Sequence, residues 1–207
     1  IYPMLAHAML RQCNWQNINS LIARVIEDAQ RDMKRKTDLS APPFVLLALQ
    51  VPLDIRLAAS RQAATAAEER VTSLQGQKRY AHKSRARRKK KLQIGYLSPD
   101  FRAHSVGVTF RDLLAAHDRE TFEITGYHIS RKPDDEHTEY YRRHFDHFVD
   151  LRNLSYGEAA QRINDDGINI LVDLAGHTGS AKLEILALKP APVQVHFMGY
   201  GATIGAS

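Results

Sequence analysis

From Leu92 onward, short apolar runs alternate with amphipathic stretches, and this alternation restricts the fold more than any other feature of the chain. Strands are expected over 92–98, 122–129, 148–151, 168–174 and 193–198, with helices over 106–117, 136–145, 156–165 and 181–188 between them. The run at 168–174 is nearly continuous in apolar residues, which suits a strand covered on both faces. Parallel strands need crossover connections, and right-handed helical crossovers cover both sides of a sheet. The expected fold is therefore α/β, a Rossmann-like parallel sheet over 92–207.

The first 77 residues have a different period. Ile18, Leu21, Ile22, Val25, Ile26 and Ala29 recur at three- and four-residue intervals, with Asn17 and Asn19 as possible helix starts. A second helix is expected from Leu53 to Leu74, opening after Pro52 with Asp54 in its first turn. Residues 1–77 thus read as an α-helical connector with a Pro-containing crossover, and Cys13 and Trp15 as core residues. No repeat of twenty to fifty residues is visible inside the chain.

Between the two patterns lies a basic stretch. The net charge is +6, yet nine basic residues and no acidic one fall within 78–93, so the rest of the chain is net acidic. A run of like charge with one aromatic residue and no apolar face stays solvated, and 78–91 is read as an exposed linker. The functional alternatives for it are nucleic acid or another anionic partner.

One cysteine excludes a disulfide framework and Cys-rich zinc modules, and fits a reducing compartment, hence a cytoplasmic location. No apolar run is long enough to cross a membrane. The chain begins at Ile1 and stops in the glycine-rich 199–207, so it is expected to be a piece of something longer.

In an open parallel sheet, ligands bind beyond the carboxyl ends of the strands where the strand order reverses. With order 3-2-1-4-5 the crevice lies between the first and fourth strands. The loops leaving those strands carry Ser98, Asp100, Arg102, His104 and Ser105 on one side and Gly176, His177, Thr178, Gly179 and Ser180 on the other. The fifth strand adds Tyr200 and Thr203. An imidazole can accept a proton from a hydroxyl or donate to a phosphate oxygen, and a helix start at Ser105 can hold an anion. Small residues let backbone approach a ligand. Asp100 either orients His104 or pairs with Arg102 to stabilise the loop, and the Gly-Tyr-Gly loop at 199–201 is either a turn or a binding loop. No Gly-x-Gly-x-x-Gly and no P-loop is present, which removes support from dinucleotide and NTPase readings. His137, His144 and His147 with Asp146 match no metal-ligand spacing, so no metal is expected.

Residues 91–107, with Ser98-Pro99-Asp100-Phe101 before His104, then 166–178, with Asp173-Leu174-Ala175-Gly176-His177-Thr178, then 189–195 and Gly199-Tyr200 resemble the catalytic region of the O-GlcNAc transferase/SPINDLY family. Cys13-Asn14-Trp15 and 42–49 resemble the stretch that joins tetratricopeptide repeats to that region in bacterial members. The resemblance implies a GT-B architecture, of which 92–207 is the first Rossmann-like half. It implies inverting, metal-independent transfer of N-acetylglucosamine from UDP-GlcNAc to Ser or Thr of acceptor proteins, with no cofactor. His104 matches the family's active-site histidine, as base or as a group positioning the sugar phosphate. His177 matches a position held by His in some members and Tyr in animal ones. Asp100, Arg102, Ser105, Thr178, Tyr200 and Thr203 fall in the same substrate-binding loops. The last loop departs from Gly-Tyr-Pro-Gly-Thr-Thr/Ser-Gly at Gly201, Ala202 and Ile204, which bears on donor handling. The second, nucleotide-binding half lies outside this sequence, so the chain alone is expected to be inactive. The alternatives are a GDP-fucose-dependent O-fucosyltransferase of the same family and a degenerate module that binds protein or nucleic acid.

Overall fold

The computed structural model describes residues 1–73, 76, 78–82 and 90–206. They divide into two compact units, Ile1–Ala67 with Gly201–Ser207, and Glu68–Tyr200. In the first unit, α1 spans Tyr2–Arg11, α2 Ile18–Arg35, α3 Pro43–Leu47, and α4 begins at Leu53 and runs on to Thr72. The stripe read from the sequence is the buried face of α2: Ile18, Val25 and Ala29 join Leu46, Leu49, Ile55 and Ala59 in one core, with Leu21, Ile22 and Ile26 packed at its margin. Lys36 ends α2 in the left-handed region, and the Thr37 amide reaches back to the Asp32 carbonyl, closing the last turn.

Two features of this unit correct the sequence reading. Cys13 and Trp15 are not core: Cys13 is exposed and Trp15 is 64% exposed. They lie in the turn that ends α1, where Cys13 takes positive φ and the Asn14 amide bonds the Met9 carbonyl. Apolar identity does not bury a side chain that the backbone turns outward. The prolines also start helices rather than only interrupting them, since α1 and α3 carry Pro3 and Pro43 in their first turns, where a missing N–H costs nothing.

In the second unit five parallel strands, β1 Leu92–Ser98, β2 Phe122–His128, β3 His147–Asp150, β4 Ile170–Asp173 and β5 Val193–His196, stand in the order β3-β2-β1-β4-β5. The connecting helices are α5 Ser105–Ala115, α6 Glu136–His144, α7 Tyr156–Asp165 and α8 Leu183–Ala187. Consecutive residues of a strand face opposite ways, and the cores follow that rule. Tyr96, Ile124 and Val172 join Phe101, Phe110, Tyr141 and Phe145 on the α5–α6 face. Leu97, Tyr127 and Leu171 join Ala159, Ala160, Ile163 and Ile185 on the α7–α8 face. Capping boxes fix two helix starts, Asp135 with Thr138 and Ser155 with Glu158.

In the basic stretch, Lys83, Arg85, Arg87, Arg88 and Lys89 lie outside the described residues. Residues 79–82, where an exposed linker was expected, are tied to the sheet unit. Arg79 pairs with Glu68, the Tyr80 amide donates to the Leu188 carbonyl at 2.8 Å, and the His82 ring lies 2.6 Å from the Lys189 carbonyl.

Candidate functional site

The reversal of strand order falls between β1 and β4, whose ends are in register with Leu97 opposite Asp173. The loops carrying His104 and His177 therefore leave adjacent strands at one edge of the sheet, as the sequence implied.

The β1 loop is built around Asp100. It is buried, its amide bonds the Ser98 hydroxyl, and its Oδ1 accepts from the Arg102 guanidinium at 3.1 Å. The Ala103 amide donates to Asp135 at 2.7 Å, which ties this loop to the start of α6. His104 is the N-cap of α5: its Nδ1 accepts from the Val106 amide at 3.3 Å and stands 3.5 Å from Asp100 Oδ2. These two relations of Nδ1 exclude each other. As an acceptor it must be bare, which puts the ring proton on Nε2 and makes that atom a donor. As a partner of Asp100 it must carry a proton, and a neutral ring then offers a bare Nε2, an acceptor. Nε2 is therefore a donor in the tautomer that caps α5 and an acceptor in the neutral tautomer whose Nδ1 proton faces Asp100. Ser105, exposed, opens α5 beside it.

The β4 loop is held by a second carboxylate. Asp173, 3% exposed, accepts from the amides of Ala175 at 3.0 Å and Gly176 at 2.7 Å, and its Oδ2 lies 2.9 Å from His196 Nδ1. Burial alone would lower the His196 pKa, but its bonds to Asp173 and to the Tyr200 carbonyl outweigh it and raise the value above that of an ordinary histidine. The His177 ring meets the buried Tyr200 ring edge-on at 5.2 Å. Thr178 follows, with its Oγ1 buried and without a hydrogen-bond partner among the described residues.

Seven of the eight residues singled out in the sequence, Asp100, Arg102, His104, Ser105, His177, Thr178 and Tyr200, belong to the sheet unit. Thr203 belongs to the helical unit, where its hydroxyl accepts from the Gly205 amide at 3.2 Å. The sequence reading carried Asp173 only as the first residue of the fourth-strand loop and gave no role to it or to His196, although the two sit opposite each other in register. His144 and His147, considered for a metal, are engaged separately, with the Tyr140 carbonyl and with Glu123. Among the described residues no helix is long and apolar enough to cross a membrane.

A parallel sheet helical on both faces, with its most polar loops at the strand-order reversal, defines a Rossmann-like α/β unit. The family described as Glycosyl transferase family 41 matches residues 12–207, and the chain belongs to that family. It is 30% identical over 208 residues to a probable UDP-N-acetylglucosamine–peptide N-acetylglucosaminyltransferase, SEC, of Arabidopsis thaliana, covering 98% of this chain and 21% of that protein. It is 29% identical over 199 residues to the UDP-N-acetylglucosamine–peptide N-acetylglucosaminyltransferase of Caenorhabditis elegans, covering 94% of this chain and 17% of that protein. The chain therefore spans about a fifth of these relatives. A solved Thermobaculum terrenum O-GlcNAc transferase mutant shares the fold, with a TM-score of 0.73 and 23% identity over 99% of this chain and 38% of that one.

Proposed function

We propose that the whole protein transfers N-acetylglucosamine from UDP-GlcNAc to Ser or Thr hydroxyls of proteins, without a metal, and that this chain supplies the His104 and His177 loops of the transfer site. Family membership supports the reaction class, and the observation that carries the site is the pair of histidine loops leaving adjacent strands where the order reverses. In an inverting displacement the acceptor oxygen attacks the sugar carbon, the hydroxyl loses its proton, and the diphosphate departs with its electron pair. His104 suits either end of that process. In its capping state the Nε2 proton can be given to a phosphate oxygen, and in its Asp100-paired state the bare Nε2 can take the hydroxyl proton. The α5 N-terminus beside it favours negative charge. His177, edge-on to Tyr200, and the Thr178 hydroxyl line the neighbouring loop as substrate contacts.

The test must separate chemistry from capping, because His104→Ala removes both. Asn caps helices as well as the residue it replaces but has no titratable ring. In the full-length gene product, with UDP-GlcNAc and a Ser/Thr peptide pool, His104→Asn is expected to melt like wild type and to lose turnover about 100-fold or more. His104→Ala is expected to lose as much turnover and a further ~1 kcal/mol of stability. Turnover that survives in His104→Asn would reduce His104 to a helix cap. Running the same assay with GDP-fucose identifies the donor.

A further inference from the structure

The last residues of β4 and β5, Asp173 and His196, are register partners, and the imidazole lies between two loops. His196 Nδ1 is 2.9 Å from Asp173 Oδ2, and Nε2 is 2.9 Å from the carbonyl oxygen of Tyr200. A backbone carbonyl has no proton to give. The Asp173 carboxyl already accepts from the Ala175 and Gly176 amides, one on each oxygen, which is the pattern of an ionised group. Both ring nitrogens must then donate, and only the imidazolium does so.

We propose that His196 is a positioning residue held as an imidazolium, one ring proton clasping the β4 loop that carries His177 and the other the β5 loop that carries Tyr200. The role rests on reading His177 and Tyr200 as parts of the transfer site. The groups facing the ring are Asp173 from β4 and Tyr200, whose own ring lies 6.1 Å away. The loops meet without slack: a Cβ on Gly176, which has φ +59, would stand 2.5 Å from Tyr200 Cβ and 2.9 Å from His196 Cε1. Moving the Tyr200 carbonyl therefore moves the ring against which His177 rests. The raised His196 pKa fixes the sign of the pH dependence. A folded value above the ordinary 6.5 means that the clasp contributes in full below 6.5 and is lost as pH rises through the folded value.

Ring-nitrogen NMR on the labelled chain tests this without any activity. Below pH 6.5 His196 is expected to carry protons on both nitrogens, and a neutral tautomer there overturns the proposal. As pH rises through the His196 titration, the ring signals of His177 and Tyr200 are expected to shift with it. That linked step is expected to vanish in His196→Gln, which can donate to one loop but not to both. Signals of His177 and Tyr200 that ignore the His196 titration overturn the clasp, and the wild-type titration decides alone if the variant fails to fold. A linked titration in a protein whose full-length form transfers no sugar leaves the clasp standing and removes the transfer reading instead.

Discussion

Gly107→Ala is expected to destabilise the sheet unit by ~3 kcal/mol, the upper end of what overpacking costs. Gly107 lies in the first turn of α5 with its Cα against the β1 loop, and an added Cβ would overlap the backbone oxygens of both Asp100 and Arg102. Neither atom can swing aside as a flexible side chain would. The Tyr141 hydroxyl donates to the Gly107 carbonyl, and Tyr141 itself is fully buried among Phe101, Phe110 and Phe145, so the helix cannot back away cheaply. Relief would have to come from the loop that carries Asp100 and His104. The same substitution should therefore disturb the α5 cap as well as stability. Amide exchange in β1 and β2 measures the effect, while fluorescence of Trp15, the single tryptophan, follows the helical unit separately. Gly179→Ala, where an added Cβ meets nothing within 4 Å, is the control and is expected to stay within about 0.5 kcal/mol of wild type. Equal protection of β1 in the two variants would show that the helix does not approach the loop as closely as described.

The second large effect is expected on acidification. His128 ends β2 with its side chain 1% exposed, between the rings of Phe101 and Phe148 at 6.3 and 5.5 Å. Among the described residues neither ring nitrogen has a hydrogen-bond partner, and Asp134 is 3.8 Å away. Burial disfavours the charged ring, and the nearby Arg152 adds to this against the opposing pull of Asp134 and Asp150, so the pKa falls from 6.5 to about 4. The sign follows from proton counts. Between pH 6.5 and 4 the unfolded chain holds a proton on this residue that the folded chain refuses, so stability is full above 6.5 and declines as pH falls towards 4. The loss amounts to about 3 kcal/mol over that interval. Urea unfolding of the sheet unit across this range is expected to show the decline, and His128→Phe, which keeps an aromatic ring between Phe101 and Phe148, is expected to flatten it. Parallel pH profiles for the two proteins would mean that another group carries the acid sensitivity.

Much of the fold was legible from period and punctuation. β1 and α7 begin and end where the apolar pattern places them; β4 is shorter than its apolar run at both ends, 170–173 within 168–174, and β5 stops at His196, the last apolar residues of each run belonging to the loops that follow. Crossover rules give the hand of each connection and not the strand order; the order 3-2-1-4-5 entered as a premise, and the observed sheet has it, so the β1 and β4 loops leave one edge. The helices led by Pro3 and Pro43 were missed because a proline reads equally as a break or as a first helical residue, and only the capping geometry after it tells which. Trp15 was misplaced because the turn at Cys13, in the left-handed region, has no signature in residue type.

The candidate site divides the same way. The chemistry-bearing loops could be picked out one by one, since residue type and strand position are local properties of the chain. That His104 caps a helix while facing Asp100, that His128 is walled in by Phe101 and Phe148, and that His196 bridges Asp173 to the Tyr200 carbonyl depended on which atoms the folded backbone brings within bonding distance. Amino-acid order set the periods, and the periods set which face each residue takes. Protonation and partnership were left to the three-dimensional packing, because a hydrogen bond or a desolvation penalty depends on distances of a few ångströms between groups that lie tens of residues apart along the chain.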